Sequence, residues 1–204
     1  MQIKVLCPYS FGANTYLIHS GSCAYVVDPA VSVAAITSAA AELDVCIKGI
    51  LLTHGHFDHT ISLDTLRKAL DIPAFIHEED AVMLTDGRKN AYYDFYGKEC
   101  KYSPAENIFS DNDMITVGDE KIRIIHTPGH SGGSVCMLAD EFMITGDTLF
   151  AESIGRCDLW SGSQALMKSS LERLRTFSPN LTIYPGHGMP SSLGNALDNS
   201  LYYL

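Results

Sequence analysis

The sequence is poor in positive charge and has no long apolar run. Its 204 residues hold 14 lysines and arginines against 24 aspartates and glutamates, which gives a formal net charge of −10. This balance argues against a protein that grips nucleic acid by bulk charge, because phosphate binding needs a basic surface. No apolar stretch is long enough to span a bilayer, so we expect no membrane partner either.

Paired cysteines are also missing. The six cysteines are scattered singly, without a Cys-x-x-Cys pair, so neither a disulfide framework nor a cysteine zinc motif is expected. The apolar run at the start of the sequence is too short for a secretory signal. We therefore expect free thiols and a cytoplasmic location. The chain is 46% hydrophobic and lacks repeats, so we expect one domain over residues 1–204.

Hydrophobic periodicity predicts alternating strands and helices. The first half contains a hairpin and then two buried strands, each strand preceded by a helix. After residue 114 the pattern favours strands again, interrupted by one helix. We predict two mixed sheets packed face to face with helices outside, a four-layer α/β/β/α sandwich. The predicted elements include strands at 15–18, 24–27, 49–52, 74–76 and 182–184, and helices at 31–43, 61–70, 164–177 and 191–204.

The densest cluster of polar residues is Thr-His-Gly-His-Phe-Asp-His at residues 53–59. It lies between a predicted buried strand and a predicted helix, so it is a turn at a sheet edge. His54, His56, Asp58 and His59 carry imidazole and carboxylate groups, which are good ligands for zinc, iron and manganese. The alternative is an ordinary polar loop or helix cap, but crowding these polar groups together without a metal would not stabilise the protein.

Three more ligand-type residues each follow a predicted strand. They are His130, Asp147 and His187, and a glycine precedes each of them, which lets the backbone turn sharply. One such residue alone would more often be structural. Together with the turn at 53–59 they give seven candidate ligands at one edge, whereas a single catalytic site takes three protein ligands and a solvent. The sequence therefore predicts two metal ions.

These motifs resemble those of the metallo-β-lactamase superfamily, and within it the compact glyoxalase II-like (hydroxyacylglutathione hydrolase-like) hydrolases. The matching stretches are His-x-His-x-Asp-His (54–59), Thr-Pro-Gly-His (127–130), Gly-Asp-Thr-Leu-Phe (146–150) and Pro-Gly-His-Gly (185–188). The resemblance implies the metallo-β-lactamase fold and a role for each ligand. The first metal would be held by His54, His56 and His130, the second by Asp58, His59 and His187, with Asp147 as the bridge.

The resemblance also implies an activity. We expect hydrolysis of a small-molecule thioester such as S-2-hydroxyacylglutathione by a hydroxide that bridges two divalent metal ions, with zinc first and iron or manganese as alternatives. Asp58 would orient that hydroxide or take its proton. The alternatives are a one-iron persulfide dioxygenase, a hydrolase of other esters or lactones, and a metal-binding protein without activity. The dioxygenases lack the last motif histidine, so His187 favours hydrolysis.

Substrate recognition is less defined. Glyoxalase II enzymes carry a C-terminal helical region that helps to bind glutathione, and this sequence ends soon after His187. We expect residues 78–113, which lack clear periodicity, to overhang the metal edge instead. Tyr92, Tyr93 and Tyr96 are candidate substrate contacts, although they could equally fill the core. Lysines in the segment would suit a substrate carboxylate.

Two further residues have two readings each. Arg156 is a candidate for binding a substrate anion, or it forms an ion pair with Asp158. Asp28 either hydrogen-bonds a ligand histidine or caps a helix. His19, His77 and His126 are expected to be structural, and His126 could alternatively hold a metal ligand in place. The oligomeric state stays open.

Overall fold

The first sheet is built from the N-terminal half of the chain. The structure is a computed structural model that describes residues 1–6 and 12–203. Within these ranges the first sheet has six strands in chain order, antiparallel from β1 to β3 and parallel from β3 to β6. Its strands are β1 (Gln2–Leu6), β2 (Thr15–Ser20), β3 (Cys23–Val27), β4 (Cys46–Leu51), β5 (Ala74–His77) and β6 (Asn107–Phe109).

The second sheet comes from the C-terminal half. Its described strands run in the order β12-β11-β10-β9-β8-β7. Only β10 and β11 are parallel neighbours, and the other described pairs are antiparallel. The strands are β7 (Met114–Val117), β8 (Glu120–His126), β9 (Val135–Leu138), β10 (Phe142–Gly146), β11 (Thr182–Pro185) and β12 (Ser191–Ser192).

Helices cover the outer faces of both sheets. Serine side chains begin three of them: Ser32, Ser163 and Ser192 each accept a backbone N–H from the first turn of α1, α5 and α6 respectively, which satisfies an otherwise free donor. The helices are α1 (Val33–Glu42), α2 (Leu63–Leu70), α3 (Ala81–Thr85), α4 (Tyr92–Tyr96), α5 (Gln164–Leu174) and α6 (Leu193–Ser200). In the described part of the chain, no helix is both long and apolar enough to cross a membrane.

Successive strand residues bury opposite faces, and this creates three apolar layers. Leu17 packs outward with α1 and α2, while its neighbour Ile18 packs between the sheets. In the second sheet Ile124 faces the other sheet, while Ile125 faces α5 and α6. A strand that alternates in this way needs apolar residues at every position, which explains its continuous hydrophobic run. The predicted α/β/β/α sandwich is confirmed.

Element boundaries differ from the predictions at a few places. The helix predicted at 61–70 begins at Leu63, after Ser62 at its N-cap position, and a separate 3-10 turn at Phe57–His59 lies before it. The helix predicted at 191–204 is α6 alone, preceded by the two residues of β12 and followed by a 3-10 turn, with Leu204 outside the described residues. The segment 78–113 contains α3, α4 and β6, and the three-residue β6 is too short to show periodicity.

The prediction of free thiols is confirmed for the five cysteines that the structure describes. Cys23, Cys46, Cys100, Cys136 and Cys157 are all free. Cys7 lies outside the described residues.

Candidate metal centre

The predicted ligands meet where strands from both sheets end. The turn at 53–59 follows β4, while His130, Asp147 and His187 follow β8, β10 and β11. These last three strands run in the same direction, since β8 and β10 both lie antiparallel to β9. The backbone N–H of Val135 donates to the carbonyl of Thr53 at 2.9 Å, which joins the two sheets beside the site.

One group of ligand atoms comes from His54, His56 and His130. Their available nitrogens lie within 4.8 Å of one another, and all three side chains are buried. His56 Nδ1 and His130 Nε2 are 2.8 Å apart. Zinc–nitrogen bonds are about 2.0–2.1 Å long, so nitrogens at such separations can reach one ion. This trio matches the first predicted ligand set.

A second group comes from Asp58, His59 and His187, again with ligand atoms within 4.8 Å. His187 Nε2 lies 3.2 Å from Asp58 Oδ2. His187 and Asp58 keep 37% and 22% of their side chains exposed, whereas His59 is fully buried. This group therefore faces the solvent side of the centre and is the more accessible of the two.

Asp147 lies between the two groups. Its Oδ1 is 3.2 Å from His59 Nε2, and its Oδ2 is 3.5 Å from His130 Nε2 and 3.6 Å from His187 Nε2. One carboxylate thus contacts histidines of both groups. The bridging role implied by the family resemblance stays a prediction.

Several of these side-chain atoms are buried without any hydrogen-bond partner. Among the described residues, the atoms in this state are His54 Nε2, His56 Nε2, His59 Nε2 and Asp147 Oδ1. A buried polar atom without a partner is costly, and native proteins rarely tolerate one. Three of them belong to His54, His59 and Asp147, whose ligand atoms lie within 4.8 Å of one another, and His59 Nε2 and Asp147 Oδ1 lie 3.2 Å apart without forming a hydrogen bond. Such a group fits a centre whose partner is a metal ion. The residues present therefore fit the metals implied by the sequence.

Three of the histidines have their other ring nitrogen already engaged. His59 Nδ1 lies 2.8 Å from Asp28 Oδ2, and His130 Nδ1 donates to the Arg156 carbonyl at 2.8 Å. His54 Nδ1 lies 3.1 Å from Thr53 Oγ1, which itself donates to Asp28. Such contacts keep the proton on Nδ1 and direct the Nε2 lone pair inward, as metal-ligating histidines require.

The electrostatics of the buried trio favour neutral imidazole. Burial, together with neighbouring His130, lowers the pKa of His56 to about 3. Burial likewise holds the pKa of His54 well below its usual value, helped by the adjacent histidines. Neutral imidazoles are the form that binds metal. These two ligands are therefore ready for a cation at neutral pH.

The carboxylate side of the centre behaves in the opposite way. Burial alone would lower the pKa of His59, but Asp147, Asp28 and Asp58 outweigh it and raise that pKa well above its usual value. Burial would raise the pKa values of Asp58 and Asp147, but nearby histidines, His59 above all, lower both. In the protein without metal, a proton on His59 offsets this negative charge. A cation bound here would replace that proton.

Asp28 is the residue that orients His59. Its side chain is fully buried and accepts bonds from the Thr53 backbone N–H at 2.8 Å and from the Thr53 hydroxyl at 2.6 Å, besides its contact with His59. Its backbone is in the left-handed region with φ of 51°, which Asp tolerates better than most residues. Of the two readings offered for Asp28, the structure supports the hydrogen bond to a ligand histidine.

Asp80 is a functional residue that the sequence reasoning missed. Its fully buried carboxylate accepts from Gly55 N at 3.0 Å, Ser131 Oγ at 2.6 Å and Gly133 N at 2.8 Å. It thereby ties the loop that carries His54 and His56 to the loop that carries His130. In the sequence it is the third of three consecutive acidic residues, and no pattern separates it from its two neighbours.

Close backbone packing fixes Asp147 as well. A Cβ at Gly186 would collide with the Asp147 carboxylate and with the ring of His59, so only glycine fits between β11 and the bridge residue. Asn14 fastens the same loop by donating its side-chain N–H groups to the carbonyls of Pro185 at 3.0 Å and Gly188 at 2.9 Å. Gly186 and Asn14 therefore both help to fix the position of His187, whose ring also lies edge-on to Phe150 with centroids 6.1 Å apart.

A cavity of about 570 Å³ opens beside the metal edge. His56, Asp58, His130, Asp147 and His187 lie along it, together with apolar side chains from the 3-10 turn, α4 and the loop after β10. Its volume is in the range of small-molecule sites. The apolar and remaining lining residues are Phe57, Ala91, Phe95, Tyr96, Phe150, Gly155, Arg156 and Leu159.

The candidate substrate residues differ in where they lie. Tyr96 lines the cavity, as predicted for the 78–113 segment, and Phe95 lines it too. Tyr92 packs edge-on against Phe57 with ring centroids 5.2 Å apart and is not among the lining residues. Tyr93 lies outside the lining as well, beneath the guanidinium of Arg88 at 4.8 Å.

Arg156 also lines the cavity, but its charge is already paired. Its Nε and Nη2 donate to the two carboxylate oxygens of Asp158 at 2.6 and 2.7 Å. The hydrogen bond from Arg156 lowers the pKa of Asp158 to about 2. Of the two readings offered for Arg156, the structure contains the ion pair.

A third histidine cluster lies outside the centre. His77, Glu79 and His126 have ligand atoms within 4.8 Å of one another. The rings of His77 and His126 are stacked 4.1 Å apart and only 13° from parallel, so their in-plane lone pairs do not converge on one ion. His126 Nε2 donates to the Gly132 carbonyl at 2.8 Å, two residues from His130, and this agrees with a structural role.

Sequence comparison decides the family. A sequence model described as the metallo-beta-lactamase superfamily matches residues 9–187. The chain belongs to this superfamily. Among its relatives, the "Probable polyketide biosynthesis zinc-dependent hydrolase PksB" of Bacillus subtilis (strain 168) is 31% identical over 85% of this chain and 71% of its own length. "Probable metallo-hydrolase YqgX" of the same organism is 33% identical over 86% and 85%.

Solved structures agree in fold. The crystal structure of BLEG-1 B3 metallo-beta-lactamase superposes with a TM-score of 0.90 at 28% identity, covering 98% of this chain and 99% of that one. TTHA1623 in a di-iron-bound form gives a TM-score of 0.83 at 28% identity, covering 99% and 100%. ETHE1 from Myxococcus xanthus gives 0.77 at 25% identity over 95% and 80%. The chain is thus a member of a metal-dependent superfamily of hydrolases.

Proposed function

We propose that this protein is a dinuclear metallo-hydrolase of the glyoxalase II type, which cleaves thioesters. The observation that carries the proposal is the convergence of seven histidine and aspartate side chains, four of whose buried atoms lack any partner among the described residues. His54, His56 and His130 would hold one ion, Asp58, His59 and His187 would hold the second, and Asp147 would serve both.

The two ions would supply Lewis acidity and lower the pKa of water towards about 7, so that hydroxide is available at neutral pH. The protein's own part is to place a substrate carbonyl in the adjacent cavity with its apolar groups against the aromatic wall. Asp58 is the residue of the turn at 53–59 that presents a carboxylate to this cavity. Its pKa is held below the usual value, so it is ionised at neutral pH and can orient the attacking water or accept its proton.

Zinc is the metal that we propose first. The name of PksB contains "zinc-dependent", and the TTHA1623 structure is described as di-iron-bound, so relatives support both zinc and iron. Imidazole and carboxylate ligands suit either metal. Activity of protein loaded separately with zinc, iron or manganese decides between them.

The alternative of a one-iron persulfide dioxygenase has less support. A single ion bound by the first trio would leave Asp58, His59 and His187 without a metal to bind. Their ligand atoms also lie within 4.8 Å of one another, which supports a second ion. Hydrolysis of β-lactams, other esters or lactones uses the same attack on a carbonyl. BLEG-1, to which the chain is similar in fold, is named as a metallo-beta-lactamase, so a β-lactam belongs among the test substrates.

The test is a substrate panel on metal-loaded protein. S-D-lactoylglutathione, uncharged acyl thioesters, an aryl ester, a lactone and a chromogenic β-lactam would be compared, with glutathione persulfide and an oxygen electrode for the dioxygenase. We expect thiol release from at least one thioester at a kcat/KM above that for every other class. His59→Ala should abolish it while circular dichroism stays unchanged. Fully metallated protein that releases no thiol would refute the proposal.

A further inference from the structure

The wall of the cavity is aromatic and carries almost no available positive charge. Phe57, Phe95, Tyr96, Phe150 and Leu159 supply its apolar surface. Phe95 and Tyr96 remain 58% and 56% exposed, although large apolar side chains grouped at the mouth of a cleft are uncommon unless they meet a ligand. The wall therefore offers surface that an apolar group could cover.

Glutathione would find little to bind here. Among the described residues that line the cavity, Arg156 is the one lysine or arginine, and Asp158 holds it through two hydrogen bonds of 2.6 and 2.7 Å. The other cations of the 78–113 segment, including the exposed Lys98, are not among the described lining residues, and two of them are engaged elsewhere. Lys89 lies over the ring of Trp160 at 4.8 Å, and Lys101 pairs with Glu99 at 3.0 Å.

The charge of the whole chain points the same way. A formal net charge of −10 disfavours the approach of an anionic substrate unless a local basic patch compensates. Glutathione carries two carboxylates and one ammonium group, and apart from the metal ions of the centre its carboxylates would find no unpaired lysine or arginine among the described lining residues. Thiol carriers in cells end in polar amide arms, so the apolar part of a natural thioester is its acyl group.

We propose that the preferred substrates are thioesters with an apolar, uncharged acyl chain, which lies against Phe57, Phe95, Tyr96 and Phe150, and that glutathione thioesters are poor substrates. This inference rests on the proposed thioester hydrolysis and narrows it. Each methylene buried contributes about 0.8 kcal/mol, so each should raise kcat/KM by up to about fourfold while the chain still contacts the wall.

The first experiment uses one neutral thiol and varies only the acyl chain. Acetyl, butyryl, hexanoyl and octanoyl thioesters of N-acetylcysteamine are hydrolysed by zinc-loaded protein, next to lactoyl-N-acetylcysteamine and S-D-lactoylglutathione. We expect the hexanoyl thioester to exceed the acetyl thioester by at least about tenfold in kcat/KM, and lactoylglutathione to show no advantage over lactoyl-N-acetylcysteamine. A flat series, or a preference for the glutathione thioester, would overturn the inference while leaving thioester hydrolysis standing.

Variants separate the wall from the rest of the fold. Phe95→Ala should reduce the hexanoyl-to-acetyl ratio several-fold, because it removes an aromatic surface from the cavity. Ile108→Ala, which truncates an exposed side chain on the outer strand β6, is the matched control and should leave the ratio unchanged. Asp158→Asn should release Arg156 and raise kcat/KM for S-D-lactoylglutathione several-fold relative to lactoyl-N-acetylcysteamine. If Phe95→Ala and the unmutated protein have the same hexanoyl-to-acetyl ratio of kcat/KM, the acyl chain does not lie against the aromatic wall.

Binding gives a measurement that is independent of turnover. Isothermal titration calorimetry measures it directly. The non-hydrolysable thioether S-hexyl-N-acetylcysteamine should bind with a Kd at least about tenfold below that of S-methylglutathione. If no thioester is hydrolysed at all, the proposed function fails, and this titration still decides whether the cavity takes an apolar chain. Equal or weaker binding of the hexyl compound would refute the inference.

Discussion

Replacing Asp80 by asparagine tests how the two ligand loops are held together. The Asp80 carboxylate accepts three hydrogen bonds, from Gly55 N, Ser131 Oγ and Gly133 N. Asparagine offers one oxygen and one NH₂ group in the same volume. Whichever way its amide is turned, the NH₂ faces a backbone N–H, of Gly55 in one orientation and of Gly133 in the other. At least one buried donor is then left without an acceptor.

The expected cost follows from these contacts. An unsatisfied buried donor costs about 1–3 kcal/mol, and a hydrogen bond to a charged group contributes about 1.5–3 kcal/mol, part of which a neutral amide loses. Burial raises the pKa of Asp80 despite its hydrogen bonds, so the ionised carboxylate itself is costly to bury, and the neutral variant avoids that cost. We therefore expect a net destabilisation of about 2–4 kcal/mol, equivalent to a fall in Tm of roughly 5–15 °C.

Metal binding should respond more specifically than stability. Gly55 lies between His54 and His56, and Ser131 follows His130, so loosening Asp80 displaces the first ligand trio. Residues that hold metal ligands in place typically change affinity by about 10–100-fold. Competition with a chromophoric chelator would measure this loss of zinc affinity, and chemical denaturation would measure the free energy of unfolding.

Two controls make the result interpretable. Asp119→Asn makes the same chemical change on an exposed turn residue and should alter neither quantity. Ser131→Ala removes one hydroxyl, which contacts both Asp80 Oδ2 and Ser134 Oγ, and should cost about 1–2 kcal/mol. If Asp80→Asn keeps the zinc affinity and the unfolding free energy of the unmutated protein, the idea that this carboxylate ties the two loops together is wrong.

Three further predictions concern metal and pH. Zinc titration should saturate at two equivalents per chain and Asp147→Asn should weaken both, as followed by elemental analysis after dialysis; a ceiling of one equivalent would contradict the bridge. Zinc binding at pH 7 should release about one proton from His59, whose pKa is raised in the metal-free protein, and calorimetry in two buffers would detect it. Burial and the neighbouring His126 lower the pKa of His77 below 6.5, so its neutral form stabilises the fold above about pH 6.5 and this contribution is lost as the pH falls. In urea unfolding, the free energy of unfolding of His77→Asn should therefore decline less between pH 7 and 5 than that of the unmutated protein.

The sequence was sufficient to predict the sandwich and the convergence of the ligands. Strands such as β2 and β8 alternate between two buried faces, as Leu17 and Ile18 do, so their apolar runs were readable as buried strands. His130, Asp147 and His187 each follow such a strand after a glycine, which placed them at strand ends. The spacing alone did not divide the ligands between two ions, and that division came from the family resemblance.

The supporting residues were not predictable in the same way. Asp80 is separated from His54 by 26 positions and from Ser131 by 51, and its burial depends on how α3 and the loop after β8 pack together. Arg156 shows the same limit, because only coordinates distinguish a free guanidinium from one held by Asp158. Tyr92 and Tyr93 belong to the same short helix as Tyr96. Tyr92 lies on the same helix face as Tyr96, with ring centroids 4.7 Å apart, but it packs against Phe57 and does not line the cavity, whereas Tyr93 lies under Arg88.

The division of ligands between the two halves of the chain bears on how the protein assembles. The turn at 53–59 belongs to the first sheet, whereas His130, Asp147 and His187 belong to the second, and each predicted ion would draw on both. A nascent chain released only as far as β6 would have no complete site, so strong metal binding must wait until the second sheet has docked. Metal would then favour only the fully assembled protein, by RT ln(1 + [M]/Kd), and would slow the separation of the two sheets.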